Sequence, residues 1–173
     1  MPIEGDKIMD HGKIEWKNDL DTGIEIIDRQ HQEFIGLVNK LLDNSIKSEE
    51  ITDTFFFLKD YINAHFSIEE TAMMAYGYPN YATHKGVHDS FREEFNGMEL
   101  SIRAKSPTRE IAIKLNYLVV NWFMSHIKAE DDNLYRFLEA RASDKNEVLS
   151  DNLNIIERNF FKEGAWRYKV HQD

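Results

Sequence analysis

In four segments of this chain, the residues expected on a buried helix face recur at spacings of three and four. This spacing strongly constrains the fold. A three-four repeat draws one continuous stripe along an α-helix, as in helices that pack side by side. The stripe positions are Ile24, Ile27, His31, Phe34, Val38 and Leu41; Phe55, Leu58, Ile62, His65, Glu69 and Met73; His84, His88, Phe91, Phe95, Met98 and Ile102; and Ile111, Leu115, Leu118, Trp122 and His126. Turn residues from Gly77 to Asn80 end the second segment, and Ser106-Pro107 offers an N-cap and a first-turn proline for the fourth. The sequence therefore predicts an all-α protein, an up-down-up-down four-helix bundle with short connections.

Six of the stripe positions hold histidine or glutamate where an apolar side chain would be expected. A polar group on a buried face costs free energy unless a partner satisfies it. For one histidine the simplest explanation is a hydrogen bond to a backbone carbonyl, but five histidines at matching depth favour a shared metal centre. With one carboxylate that follows the last histidine, the candidate metal ligands are His31, His65, Glu69, His84, His88, His126 and Asp131.

The last carboxylate is ambiguous from the pattern alone. His126 and Asp131 are five residues apart, about 140° around an ideal helix, whereas Glu130 lies one turn from His126. Asp131 reaches the same face only if the helix widens locally into a π-type turn or if its side chain reaches around the helix. Both residues stay open at this point.

Composition narrows the chemistry of the site and the class of partner. The chain has no cysteine, which excludes disulfides, iron–sulfur clusters and thiol catalysis, so a metal must be held by nitrogen and oxygen. Such ligands suit Fe, Zn, Mn, Ni or Cu. The net charge of −10 argues against nucleic acid, and no apolar stretch is long enough for membrane insertion. Because the segment from Met1 to Gly12 has no signal-peptide core, a cytoplasmic protein is expected.

The number of ligands fits two octahedral metal ions. Five imidazoles, two bridging carboxylates and one solvent-derived oxo or hydroxo bridge fill all but one of the coordination positions of such a pair. An open position on a redox metal inside an apolar pocket is suited to binding a small diatomic molecule.

Several motifs together resemble the haemerythrin family, specifically its bacterial branch. They are Gly23-Ile24 with Ile27-Asp28-Arg29-Gln30-His31; His65-Phe66-Ser67-Ile68-Glu69-Glu70; Tyr78-Pro79 with His84-Lys85-Gly86-Val87-His88; and Trp122 with His126-Ile127 and Asp131. Trp16, ahead of the first helix, also fits. The resemblance covers roughly residues 14 to 138, and all seven ligand positions of the family are occupied.

The resemblance implies two Fe ions with an oxo or hydroxo bridge, and O₂ as a reversibly bound ligand. By the family pattern, His84, His88 and His126 hold one iron, His31 and His65 hold the other, and Glu69 and Asp131 bridge them. The apolar lining of the O₂ pocket is expected from Phe34, Phe66, Trp122, Phe123 and Ile127. The protein would then carry, store or sense oxygen and would not be an enzyme in the usual sense.

Beyond the bundle, assigned to residues 1–140, lies an extension over residues 141–173. Its Leu149, Leu153, Ile156 and Phe160 repeat at four, three and four, which predicts an extra amphipathic helix. Such a helix packs on the outside of the bundle, or residues 145–173 bind a protein partner or a second copy of the chain. Two other functions remain open: detoxification of NO or peroxide at the di-iron site, and an O₂-sensing module that signals through the tail. NO and azide-like anions are further candidate ligands of the open position.

Overall fold

The structure, a computed structural model, describes residues 9–10, 13–17, 20–21, 25–104 and 107–141. Its α-helices within these ranges are α1 Glu25–Lys40, α2 Ser48–Tyr76, α3 Tyr81–Gly97, α4 Glu99–Arg103, α5 Arg109–His126 and α6 Asp132–Glu139. A π-helical turn, Ile127–Asp131, joins α5 to α6. Strands β1 Met9–Asp10 and β2 Lys13–Ile14 form a small antiparallel pair.

The predicted all-α class and four-helix bundle are confirmed. Helix α2 packs against α3, while α5 packs against α1, α2 and α3. The long α5 continues through the π-helical turn into α6, and α4 extends the line of α3 after a one-residue interruption at Met98. The pair of two-residue strands before the bundle is an addition that the helical periodicity did not predict.

The ends of two helices show how local sequence sets the bundle connections. Gly77 ends α2 with φ 64°, a left-handed conformation that glycine adopts without steric cost, and Tyr78 donates its backbone N–H to the Met73 carbonyl at 2.8 Å. The predicted break at Gly77 is therefore present. The start of α5 differs from the prediction, because Thr108 is the N-cap residue and Pro107 precedes the helix.

Two apolar clusters of unequal size fill the interior. The larger extends along α2 up to Phe66 and along α5 into the π-helical turn at Ile127. The smaller consists of Ala72, Met73, Tyr78, Leu134, Tyr135 and Leu138. Glu69 on α2 and Asp131 on the α5–α6 line therefore lie between the two clusters, while His65 and His126 lie at the end of the larger one.

Side-chain hydrogen bonds tie the end of α1 to its neighbours. Asn39 accepts the Ile14 backbone N–H and donates to the Ile14 carbonyl, both at 2.9 Å, which attaches β2 to α1. Buried Asn116 of α5 donates to the Val38 carbonyl at 2.9 Å. These bonds hold α1, which carries His31, in a defined position against α5.

Some predictions concern residues outside the described ranges. These include Ile24 on the first stripe, Ser106 before the fourth helix, and the extra helix expected within the 141–173 extension. The boundary at residue 140 stays a prediction. Among the described residues, no helix combines the length and the apolar character that crossing a membrane requires.

Stability should depend on the larger apolar cluster. Leu115 of α5 is 0% exposed, whereas Tyr117, two residues further along the same helix, is 53% exposed. We expect Leu115→Ala to lower the free energy of unfolding by about 2–5 kcal/mol, because a buried cavity is created. The matched Tyr117→Ala change should stay within about 0.5 kcal/mol. Urea denaturation measures both; equal losses would contradict the assignment of Leu115 to the core.

Candidate metal centre

The seven predicted ligands come together in one buried layer. His31 comes from α1, His65 and Glu69 from α2, His84 and His88 from α3, His126 from the end of α5, and Asp131 from the π-helical turn. Each of the seven is no more than 5% exposed. The i,i+4 pairs on α2 and α3 put two ligands on one helix face, and packing of the helices brings the faces together.

Within the layer, the ligand atoms separate into two groups. Glu69, His84, His88 and His126 form the first group, called the three-histidine group below. His31, His65 and Asp131 form the second, the two-histidine group. In each group, one ligand atom from every residue lies within 4.8 Å of all the others. This division matches the two iron sites that the resemblance implies.

The spacing of the nitrogens in the three-histidine group suits a single metal ion. The Nε2 atom of His126 lies 3.1 Å from Nε2 of His88 and 3.3 Å from Nε2 of His84. Two nitrogens bound at right angles, each about 2.1 Å from one ion, would be about 3.0 Å apart. The convergence of Nε2 atoms therefore has the dimensions of one coordination sphere.

Glu69 and Asp131 lie where they can serve both groups. Glu69 Oε2 is 3.2 Å from His88 Nε2 and 3.8 Å from His84 Nε2, while its Oε1 is 3.4 Å from His65 Nε2. Asp131 Oδ1 is 2.9 Å from His126 Nε2, and Asp131 also belongs to the two-histidine group. Each carboxylate can thus bridge two metal ions.

The π-helical turn explains how Asp131 reaches the layer. Its five residues widen the helix so that a side chain five positions after His126 returns to the same face. Asp131 is 1% exposed, whereas Glu130, one residue earlier, is only partly buried. An ordinary α-helix at this point would place Glu130, rather than Asp131, on the buried face.

Several buried polar atoms in the layer lack a hydrogen-bond partner among the described residues. They include both ring nitrogens of His31 and the Oδ2 atom of Asp131. An unsatisfied buried polar group costs about 1–3 kcal/mol, and more when it is charged. Metal coordination would satisfy nitrogen and carboxylate ligands together, so the donor set fits a pair of metal ions.

The charges of the layer point to a bound cation. Burial and the neighbouring His65 lower the pKa of His31 to about 3, which keeps this imidazole neutral. Burial also lowers the pKa of His126, but the nearby Asp131 and Glu69 carboxylates outweigh it and raise this pKa to about 10. Two buried carboxylates therefore hold a positive charge at His126 when no metal is bound, and a metal ion would take its place.

Aromatic rings surround the two-histidine group. Phe123 contacts His31 edge to face with ring centroids 5.2 Å apart, and Phe34 packs on Phe123 at 4.4 Å. Tyr61 stacks on His65 at 5.9 Å with an interplanar angle of 7°. Of the predicted lining residues, Phe34 and Phe123 thus lie on this side of the layer.

The other predicted lining residues pack nearer the three-histidine group. Phe66 stacks on His88 at 3.8 Å, and Trp122 stacks on His126 at 4.1 Å. Ile127, which follows His126 in the chain, is buried in the larger apolar cluster. Of the five predicted lining residues, Phe66, Trp122 and Phe123 contact ligand rings, and they are divided between the two halves of the layer.

Three residues around the layer were not predicted from sequence. Glu70 accepts a hydrogen bond from His88 Nδ1 at 3.0 Å. Tyr135 donates its hydroxyl to Glu69 Oε1 at 2.6 Å, and burial raises the pKa of this phenol so that it remains protonated. Tyr61 completes the aromatic wall. Tyr135 was detectable, because it lies four residues after Asp131 on the same face.

Comparison with known proteins agrees with this geometry. The sequence model of the Hemerythrin HHE cation binding domain matches residues 22–138. The chain is 33% identical to a bacteriohemerythrin of Clostridium acetobutylicum over 122 residues, 67% of this chain and 94% of that protein. It is 28% identical to a bacteriohemerythrin of Pseudomonas aeruginosa over 153 residues, 87% of this chain and 90% of that protein.

A more distant match extends beyond bacteria. The hemerythrin subunit alpha of Lingula reevii is 27% identical over 116 residues, 67% of this chain and 87% of that protein. Residues 22–138, which the family model matches, contain the helices that supply the buried histidines and carboxylates. The chain therefore belongs to the haemerythrin family.

Proposed function

We propose that this protein holds two iron ions and binds O₂ reversibly at one of them. The observation that carries the proposal is the division of the buried ligands into one group with three histidines and one with two. A group with fewer protein ligands leaves room for an exogenous ligand. The family membership supports iron as the metal and O₂ as that ligand.

Each ligand has an assigned role in this proposal. His84, His88 and His126 hold one iron, and His31 and His65 hold the second. Glu69 and Asp131 bridge the two. The expected oxo or hydroxo bridge completes the centre. The positions of both carboxylates between the groups support the bridging role.

The ligand set favours binding of O₂ over its use as an oxidant. The iron pair, when bound, supplies electrons that O₂ accepts and an open coordination position. Di-iron bundles of the ferritin-like type use four carboxylates and two histidines, whereas here five buried imidazoles accompany two carboxylates. Fewer anionic ligands give less stabilisation of high-valent iron. The aromatic rings exclude water and so limit the supply of protons to bound ligand.

The biological use of such a site is part of the same proposal. We expect a carrier, store or sensor of oxygen rather than an enzyme, acting in the cytoplasm. NO or azide-like anions would compete for the open position. A partner, if the protein is a sensor, would bind through residues 145–173, which lie outside the described ranges.

A visible absorption titration tests reversible binding directly. The iron-loaded protein is reduced without oxygen, O₂ is admitted, and the solution is then purged. We expect a charge-transfer band that appears with O₂ and disappears on purging over repeated cycles. A band that forms once and decays, with consumption of reductant, would instead favour NO or peroxide chemistry.

The role of the π-helical turn is tested by a matched pair of substitutions. Asp131→Asn keeps the shape of the side chain but removes its charge, so we expect iron affinity to fall at least about tenfold. Glu130→Gln makes the same chemical change at the adjacent, partly buried residue and should leave iron content unchanged. Metal analysis and competition with a chelator measure both. Iron loss in the Glu130 variant alone would assign the bridge to Glu130.

The role of the aromatic wall is tested at Phe123, whose ring contacts His31. Phe123→Asn should admit water beside the two-histidine group, so we expect the O₂-induced band to decay about tenfold faster. This corresponds to an activation free energy of decay that is lower by about 1.4 kcal/mol. Phe123→Leu keeps the position apolar and should retain nearly the original lifetime. Similar lifetimes in the two variants would show that exclusion of water at this position does not slow the decay of the O₂-induced band.

A further inference from the structure

His88 differs from the other candidate ligands in the partner of its outer nitrogen. Its Nε2 faces the layer, 3.1 Å from His126 Nε2 and 3.2 Å from Glu69 Oε2. Its Nδ1 therefore points outward, and it donates to Glu70 Oε1 at 3.0 Å. A carboxylate on the outer nitrogen makes an imidazole a stronger electron donor to a metal on the inner nitrogen.

A surface arginine holds this carboxylate in place. Arg92 donates to the same Glu70 Oε1 at 2.8 Å and also to Asp89 Oδ1 at 3.1 Å. Its guanidinium also lies 4.9 Å from the centre of the Phe66 ring, which is stacked on His88. The contacts with His88 and Arg92 thus orient the Glu70 carboxylate beside the His88 ring.

The other four candidate histidine ligands have no such partner in the part of the chain that the structure describes. The outer Nδ1 atoms of His65, His84 and His126, and both ring nitrogens of His31, make no hydrogen bond among the described residues. Extra electron donation is therefore confined to one ligand of the three-histidine group. The two-histidine group contains no equivalent of the Glu70–His88 pair in the described part of the chain.

On the other side of the layer, a hydrogen bond makes a ligand a weaker electron donor. Tyr135 donates to Glu69 Oε1, which is the carboxylate oxygen near His65. The other oxygen, Oε2, is the one near His84 and His88. A hydrogen bond to a ligating oxygen withdraws electron density from it, so Oε1 becomes a weaker donor to a metal ion in the two-histidine group.

We infer that Glu70 and Tyr135 are positioning residues that polarise the two-metal centre in opposite senses, enriching the three-histidine group in electron density and depleting the two-histidine group. The inference rests on the proposed di-iron function. A ligand that donates more strongly stabilises the oxidised metal, and one that donates less favours the reduced metal. A metal ion held by the two-histidine group, the side proposed to bind O₂, would therefore have the higher reduction potential.

The separation of the two one-electron reduction potentials measures this polarisation. Glu70→Gln should raise the lower potential, and Tyr135→Phe should lower the higher one. In each variant we expect the comproportionation constant to fall about tenfold, equivalent to about 59 mV for one electron. Redox titration followed by electron paramagnetic resonance of the mixed-valence form gives this constant. In the double variant the two effects should add, because they act on different groups.

Matched variants separate these effects from general damage. Asp89→Asn removes a carboxylate that also contacts Arg92 but is not bonded to His88. Tyr81→Phe removes a hydroxyl next to the same small apolar cluster that contains Tyr135. Both controls should keep the original separation of potentials.

A second readout needs no iron redox chemistry. In the zinc-loaded full chain, Glu70→Gln should shift the nuclear magnetic resonance signal of the His88 Nδ1–H and leave the other imidazole signals in place. An unchanged separation of potentials in either positioning variant, or an unshifted His88 signal, would overturn the inference. Iron content is measured in the same samples, so failure of the unaltered protein to hold two irons would overturn the proposed function itself.

Discussion

Two carboxylates, Glu69 and Asp131, lie in an apolar interior, and the rest of the site is organised around their charge. Burying an unpaired carboxylate costs free energy, so each of the two needs a partner of opposite charge. In the absence of metal, their field makes His126 a stronger base, while His31 on the other side of the layer remains neutral because of burial. A pair of cations between the carboxylates would satisfy both charges and the imidazole nitrogens together.

The bundle makes this arrangement possible by separating its apolar contacts into two clusters. Each cluster stabilises the packing of helices on one side of the ligand layer. The π-helical turn serves the layer specifically, because it brings Asp131 inward without interrupting the line from α5 to α6. Local irregularities of this kind often occur at functional sites.

The periodicity of the sequence predicted the helices well because it reports which side of each helix is buried. It located the break at Gly77, whose conformation is a local property of glycine. It was wrong about the start of α5, where Thr108 rather than Ser106 is the N-cap. It also did not predict the strand pair of Met9–Asp10 and Lys13–Ile14, since two residues are too short for a recognisable period.

The sequence by itself determined the helical class and the set of histidines and carboxylates on the buried faces, because side-chain spacing along a helix is a local property. Helix periodicity alone left Glu130 and Asp131 open, because the choice depends on a turn that deviates from ideal helix geometry, and only the family resemblance implied Asp131. Only the tertiary structure decided the distances between the ligand atoms and the contacts of Glu70 and Tyr135 with two of the ligands. Those contacts join residues 18 and 66 positions apart, so they depend on how helices pack rather than on any repeat within one helix.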